Sequence, residues 1–440
     1  MKRTLKKIIL TTAMAFGVFG ALNAQNSKNE TDGKVVIVDD ESCGCELVFI
    51  DGIQTTEHNG LFGFKREDGT VIVEPTYKFV DKFHGNYCKV YHDYTHCGLI
   101  DRNGRIIVPV EYDDVAYPTD GMIRVGRDGK YGFFDTTGHL TIDLQYRTAS
   151  GFNEGLAVAI IDFDSTTFGY GFIDKTNKLV IPATYEYAFA FEEGYAIVKE
   201  YERYGMIDHE GNIVLPTKYQ ELTPMNNGRF FAVDDLSGKA ALFDNRFKRL
   251  TDFKYDKVIA YTEGYFIVQV GDKQTFLDMK GKEAFKWYDL VGGFSEGYSM
   301  VQQNGKFGII NTKERTILPI EYDNSGTRQM EYTFCEGLAL VEKNGKYGFI
   351  NKRGDFVIPL IYNSAFHCTE GLIPVKKGSK WGYIDKEGNV VCDFVFDIAS
   401  YFTWGRAEVI YNGDVFKINS DGKCVKACAN YPKDIKFNFK

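Results

Sequence analysis

Trp381-Gly382-Tyr383-Ile384-Asp385-Lys386-Glu387-Gly388 carries the two signals that decide the fold: an aromatic-glycine pair opening a short apolar run, then an aspartate three residues ahead of a second glycine. An aspartate side chain opens a type I turn and the glycine takes the left-handed position after it, so the run doubles back as a hairpin. The phrase returns as Tyr131-Gly132-Phe133-Phe134-Asp135, Tyr170-Gly171-Phe172-Ile173-Asp174, Tyr204-Gly205-Met206-Ile207-Asp208, Phe307-Gly308-Ile309-Ile310-Asn311 and Tyr347-Gly348-Phe349-Ile350-Asn351. Counting worn copies, the glycine slot falls at 63, 98, 132, 171, 205, 241, 275, 308, 348, 382 and 415, a period of roughly 35 residues.

Working outward from that slot, each unit carries further landmarks in fixed order. An apolar run closes on proline, as at Pro109, Pro182, Pro216, Pro319 and Pro359, where a residue without an N–H must end a strand or meet a sheet edge. A tyrosine follows (Tyr112, Tyr185, Tyr219, Tyr255, Tyr322, Tyr362), then an aromatic-x-Glu-Gly phrase such as Phe152-Asn153-Glu154-Gly155 or Phe334-Cys335-Glu336-Gly337. The third strand then turns through Asp128-Gly129, Asn304-Gly305 or Asn344-Gly345 into the next copy. Each unit reads as a three-stranded antiparallel meander. Its strands are apolar without clean alternation, so both faces need cover from neighbours. The expected fold is all-β: about eleven tandem meanders stacked as an open, propeller-like superhelix. Propellers usually close with four to eight four-stranded blades, which leaves a closed propeller-like toroid or two smaller rings as the alternative. The aromatic ahead of the glycine is expected to pack between units, and the glycine to admit a close approach by a ring or backbone.

With Lys380-Trp381-Gly382-Tyr383-Ile384-Asp385 as the best match, the chain resembles the WG repeat (KWG-type) family over about residues 59–424. Most copies here carry Tyr or Phe in place of Trp, and those at Ala241, Thr275 and Val415 lack the glycine as well. The resemblance implies a β-repeat scaffold or interaction module and no shared enzymatic activity.

At the N-terminus, Lys2, Arg3, Lys6 and Lys7 precede an apolar run from Ile8 to Leu22 and then Asn23-Ala24-Gln25, the pattern of a secretory signal peptide cleaved after Ala24. The expected organisation is a signal peptide at 1–24, a polar segment at 25–58 that could supply a capping strand, the array at 59–424 and a tail or cap at 425–440. Cleavage removes four positive charges and takes the net charge from −8 to −12, which argues against nucleic acid or anionic lipid as partners. No other segment is long and apolar enough to span a bilayer as a helix. The mature chain is therefore expected to be periplasmic or extracellular, with no integral membrane segment. Nine cysteines leave at least one thiol unpaired, and spacing does not reveal the pairing.

No constellation announces catalysis or a cofactor. Gly293-Phe294-Ser295-Glu296-Gly297 has the spacing of a nucleophile elbow, but that motif needs a strand-to-helix turn, and the same slot reads Gly151-Phe152-Asn153-Glu154-Gly155 elsewhere. Cys88, His92, His96 and Cys97 span one expected hairpin, where a tetrahedral zinc site or a cross-strand Cys88–Cys97 disulfide with exposed histidines is chemically conceivable. Asp162-Phe163-Asp164-Ser165-Thr166 has calcium-loop character without the required glycine or distant glutamate. That insertion and the one at 324–330 break the period, which makes them first candidates for contacts with a partner. The expected function is an exported, non-catalytic scaffold binding a protein or a glycan. The competing readings are an envelope hydrolase with carboxylates gathered from several repeats, and a metal- or redox-linked protein.

Overall fold

The computed structural model describes residues 35–40, 45–50, 52–164, 166–224, 226–323, 334–426, 428–432 and 435, the first two segments as backbone only. The expected signal segment, the insertion at 324–330 and the rest of the two terminal segments lie outside them. Apart from one 3₁₀ turn at Cys428–Asn430, every regular element described is a strand.

One unit represents the others. Strand β1 (Asp114–Val115) pairs with β2 (Met122–Arg127), which pairs with β3 (Lys130–Asp135) and then β4 (Leu140–Tyr146), all antiparallel and in chain order. Asp128 and Gly129 join β2 to β3 with φ of 53° and 69°, the left-handed pair a two-residue hairpin requires. Asp135 Oδ1 accepts from the backbone N–H groups of Thr137 and His139, which builds the β3–β4 turn. The two-residue strand β1 was not legible as a strand. With it, six units are four-stranded rather than three-stranded, having counterparts at Phe79–Val80, Tyr187–Ala188, Leu290–Val291, Ser364–Ala365 and Ile398–Ala399. Ten sheets carry the eleven slots, because the six-stranded sheet running from Tyr187 to Asp244 holds both Gly205 and Ala241.

The glycine is dictated by the main chain of the next strand. Pairing of β3 with β4 slips on both sides of Phe133, from Tyr131↔Tyr146 to Phe133↔Ile142 to Phe134↔Leu140. The slip brings β4 across Gly132 so closely that a Cβ there would stand 2.5 Å from the Ile142 carbonyl oxygen. Gly205, Gly348 and Gly382 each meet the corresponding carbonyl at 2.6 Å. The prolines do not end their strands: Pro109, Pro182, Pro319 and Pro359 sit inside seven-residue strands that continue to the tyrosine. These are the last strands of their sheets, so the missing N–H faces an edge. At Ala241 and Thr275, where the glycine is lost, the slipped strand is lost too, whereas at Val415 a short slipped strand, Cys424–Lys426, remains. Thr275 is fully buried and its hydroxyl donates to the carbonyls of Phe285 and Lys286 at 2.9 and 3.0 Å, and only isolated bridges, Gln274↔Tyr288 and Leu277↔Glu283, survive there.

The packing is between sheets. Met122, Phe133, Ile142 and Tyr146 of one sheet share a core with Phe152, Ala157, Ala159 and Ile173 of the next. Leu156, Val158 and Phe172, with side chains on the opposite face, share one with Ala188, Phe191, Ala196, Val198 and Ile207 of the sheet after. Among the described residues each core joins sheets consecutive in the chain, except that of Ile197, Leu215, Phe230 and Phe243, which joins the two halves of the six-stranded sheet, and none joins the first sheet to the last, so the array is an open stack. Tyr431 and Ile435 pack onto the final core, made by residues 372–418. The deepest ring is the one after the glycine, not the one before it. Phe133, Phe172, Phe349 and Tyr383 are buried, whereas Tyr131, Tyr170, Tyr204 and Tyr347 are only half-buried and pair across strands with the tyrosines at 146, 185, 219 and 362.

Substituting Gly132→Ala or Gly348→Ala is expected to cost about 1–3 kcal/mol of unfolding free energy, since the obstacle is backbone that cannot move without breaking the sheet. Chemical denaturation of each variant against the parent checks it. A change no larger than that of an exposed surface substitution would contradict the close-approach account.

Candidate functional site

The aromatic-x-Glu-Gly phrase builds a seam between consecutive sheets. Glu154 and Gly155 both have positive φ, 52° and 87°, and Asn153 and Leu156 exchange backbone hydrogen bonds across them, so Glu-Gly is itself a tight turn. Glu193, Glu263, Glu296, Glu336 and Glu370 repeat that left-handed conformation, as does Asp120. The tight turn itself imposes this conformation, since Asn227 and Trp404 adopt it in the same slot, and most of the carboxylates so placed bind the equivalent turn of the following unit. Asp120 accepts from Gly155 N–H at 2.6 Å, Glu154 from Gly194 at 3.0 Å, Glu193 from Asn227 and Gly228 at 2.9 Å, and Glu263 from Gly297 at 3.0 Å. Glu336 accepts from Glu370 and Gly371, and Glu370 from Gly405.

A second set of rungs runs beside the first. Asn153 donates to the carbonyl of Phe191 at 2.5 Å, Thr262 to Phe294 at 3.0 Å and Ser295 to Phe334 at 3.2 Å. Ser295 is thus a seam donor interchangeable with asparagine, and its hydroxyl is aimed at a backbone carbonyl. A basic residue following the Asp/Asn of the next unit's turn completes several rungs: Lys175 on Asp120, His209 on Glu154, Lys352 on Glu296 and Lys386 on Glu336, at 2.9–3.3 Å. The seam changes character at Asn227, where Arg229 Nε donates instead to the Met279 carbonyl at 2.6 Å, and at the last unit, where Trp404 takes the glutamate slot and is 64% exposed.

Lys175 and the Gly155 N–H hold the Asp120 carboxyl below its usual range. For Glu336, burial pushes upward, but the Gly371 N–H, the Cys368 thiol, the Glu370 N–H and Lys386 together outweigh it and the net shift is downward.

The cysteine–histidine group does not assemble. Cys88 lies opposite Ile100 and Cys97 opposite Tyr91, an offset of three residues along one hairpin, so their side chains point to opposite faces of the sheet. Both are free thiols, Cys88 in the core with Phe64 and Tyr77, Cys97 in the core with Leu99 and Tyr112. His92 stacks on Tyr77, while His96 is exposed and bonds Asp93. The Cys88–Cys97 disulfide is therefore corrected, and no group of three or more metal-binding side chains occurs among the described residues. Among the described residues a disulfide joins Cys424 to Cys428. Asp164 spends its carboxylate on the N–H and hydroxyl groups of Thr166 and Thr167 in its own loop.

That insertion instead flanks an exposed aromatic face. Phe163, Phe168, Tyr187 and Phe189 are 62%, 46%, 41% and 44% exposed. The rings of the last three form a chain with Tyr170: Phe168–Tyr170 at 6.5 Å, Tyr170–Tyr187 at 4.9 Å and Tyr187–Phe189 at 5.0 Å between centroids. The Arg147 guanidinium lies 4.9 Å from the Phe168 centroid and is neutralised by Asp162. Phe189 also lines an open pocket of about 190 Å³ with Asn153, Phe191, Glu192, Tyr195 and Pro224. Burial there, with Glu193 and Glu154 nearby, raises the Glu192 carboxyl.

Fold and seam together define a class: a tandem β-repeat protein whose small sheets stack edge turn to edge turn. The model of the WG containing repeat matches ten times, at residues 62–94, 98–131, 131–162, 170–203, 204–235, 247–273, 275–307, 307–347, 347–381 and 381–413, and the chain belongs to that family. No curated protein matches. Among solved structures, a eukaryotic initiation factor is 9% identical with a TM-score of 0.37, covering 62% of this chain and 87% of that one. The extracellular domain of a putative hybrid two-component system from B. thetaiotaomicron is 11% identical with a TM-score of 0.23, covering 90% and 76%. PorZ, a bacterial surface component of the type-IX secretion system of Porphyromonas gingivalis, is 13% identical with a TM-score of 0.24, covering 78% and 50%.

Seam carboxylates with lowered folded-state pKa values make stability acid-sensitive. Their contribution is complete above the unfolded carboxylate range and is lost as pH falls through it toward the folded value, because the unfolded chain then takes up more protons. The thermal midpoint should therefore fall between roughly pH 5 and pH 3, and Asp120→Asn should flatten part of that fall. A variant with an unchanged pH profile would contradict the assignment.

Proposed function

We propose that the protein is an exported, non-catalytic binding scaffold of the cell envelope that engages a protein or a cell-surface glycan. The observation that carries this reading is the exposed aromatic chain Phe168–Tyr170–Tyr187–Phe189 beside the insertion at 162–167. Soluble proteins rarely leave large contiguous apolar faces uncovered without a use for them, and aromatic rings supply large contact area at low entropic cost. The basic-then-apolar N-terminal run supports export. The seam carboxylates support the non-catalytic half, since each accepts hydrogen bonds or ion pairs from the next unit and so is committed to structure.

The mature chain is expected to bind on a glycan array or to capture a partner from the native envelope. Tyr187→Ala/Phe189→Ala should weaken that binding at least about tenfold, the loss of a buried aromatic contact, with unfolding unchanged. Full binding by the double variant would sink the role of this face. N-terminal sequencing of the exported fraction should begin at Gln25, and a chain retaining Met1 in the cytosol would remove the export half. A hydrolase reading has one specific foothold, the raised carboxyl of Glu192 in its pocket. Turnover of an envelope glycan abolished by Glu192→Gln would favour it over the scaffold.

A further inference from the structure

Two departures from the repeat pattern meet across one seam. In the phrase that builds the seam, the residue ahead of the carboxylate is Asn153, Thr262 or Ser295 in other units, and the residue before it is commonly phenylalanine, as at Phe152, Phe191, Phe294 and Phe402. Cysteine takes the first position only at Cys335 and the second only at Cys368. These units are consecutive, so the cysteine in the donor position faces the cysteine in the core position. Cys335 Sγ donates to the Cys368 carbonyl at 3.0 Å, the rung that Ser295 makes to Phe334. Cys368 Sγ in turn donates to Glu336 Oε2 at 3.4 Å, on the residue next to Cys335. Both sulfurs therefore lie in the same seam, each against the other cysteine's unit.

We propose that Cys335 and Cys368 form a disulfide site that locks one repeat to the next, closed by exchange with a low-molecular-weight disulfide of the oxidised-glutathione class. Cys335 is the more exposed of the two and reacts first. Its thiolate attacks one sulfur of the oxidant, forming a mixed disulfide and releasing one reduced thiol. The Cys368 thiolate then displaces the second, so that one S–S bond forms, the oxidant takes two electrons, and the two cysteine protons end on the two released thiols. Burial raises both thiols, Cys368 to about 12 with Glu336 adding to the shift, so exchange is slow once the seam has closed and fastest while the array folds. Closing the bond withdraws both S–H donors, that of Cys335 from the Cys368 carbonyl and that of Cys368 from Glu336, but leaves the carboxylate its two backbone N–H partners and Lys386.

The full chain is refolded in a reduced/oxidised glutathione buffer, and separately incubated in it after folding. Each sample is then blocked with iodoacetamide under denaturing conditions and its cysteine peptides mapped by mass spectrometry. The expected result is a linked Cys335–Cys368 peptide, two hydrogens lighter than the reduced pair, in the refolded sample, with a thermal midpoint several degrees above the reduced protein. Cys335→Ser keeps the seam donor in the form found at Ser295, so it should fold with the reduced parent's midpoint and lose both the linked peptide and the oxidative gain. Alkylation of both cysteines in the oxidised refolded chain, or their recovery linked to glutathione or to other cysteines, would overturn the proposal. So would an equal oxidative gain in Cys335→Ser.

Discussion

A sheet of three or four short strands that is apolar on both faces cannot be stable in water alone, and every other feature of this molecule answers to that constraint. Phe133 and Ile142 need the residues that follow them in the next sheet, just as Val158 and Phe172 need the one after. Burial of this kind is non-directional and would tolerate sheets sliding over one another. What sets the offset is the polar edge, where a carboxylate from one turn reads the N–H groups of the equivalent turn ahead. Hydrophobic contact supplies the drive to stack, and the seam supplies the register.

The close passage of the outer strand over glycine serves the same end. By slipping the pairing around Phe133, the sheet turns its last strand so that Ile142 and Tyr146 reach the neighbour's core. A threonine at 275 fills that passage with a hydroxyl bonded to two carbonyls, and the regular outer strand is replaced by two isolated bridges. The irregularity of that unit is thus explained by side-chain chemistry at a single position.

Much of this was legible in the residues themselves. The period, the hairpin turns and the need for stacking follow from Asp135-Thr136-Thr137-Gly138 and its copies, because turn chemistry is local. The strand Asp114–Val115 was missed because two residues carry no measurable alternation. Glu154 read as the entry to a strand, and its bond to Gly194, forty residues on, has no local signature; only the strict recurrence of Glu-Gly hinted that the side chain was needed. The Cys88–Cys97 pairing failed on parity, since proximity along a hairpin says nothing until register fixes which face each residue takes. The face at Tyr187 and Phe189 had a usable signal in its spacing of two, masked by a chain in which aromatics are everywhere.

The seam also gives the stack a direction. Every carboxylate is offered forward, from a unit to its successor, so the two ends of the array are chemically unlike. At the final unit the slot holds Trp404, which offers no acceptor, while Tyr431 and Ile435 fold over the exposed core. An internal copy can be duplicated in place and hand its bond onward, whereas a copy appended beyond Trp404 would stack without that bond, as the unit after Asn227 does. Lengthening such a protein is therefore best done by insertion within the carboxylate-bearing run.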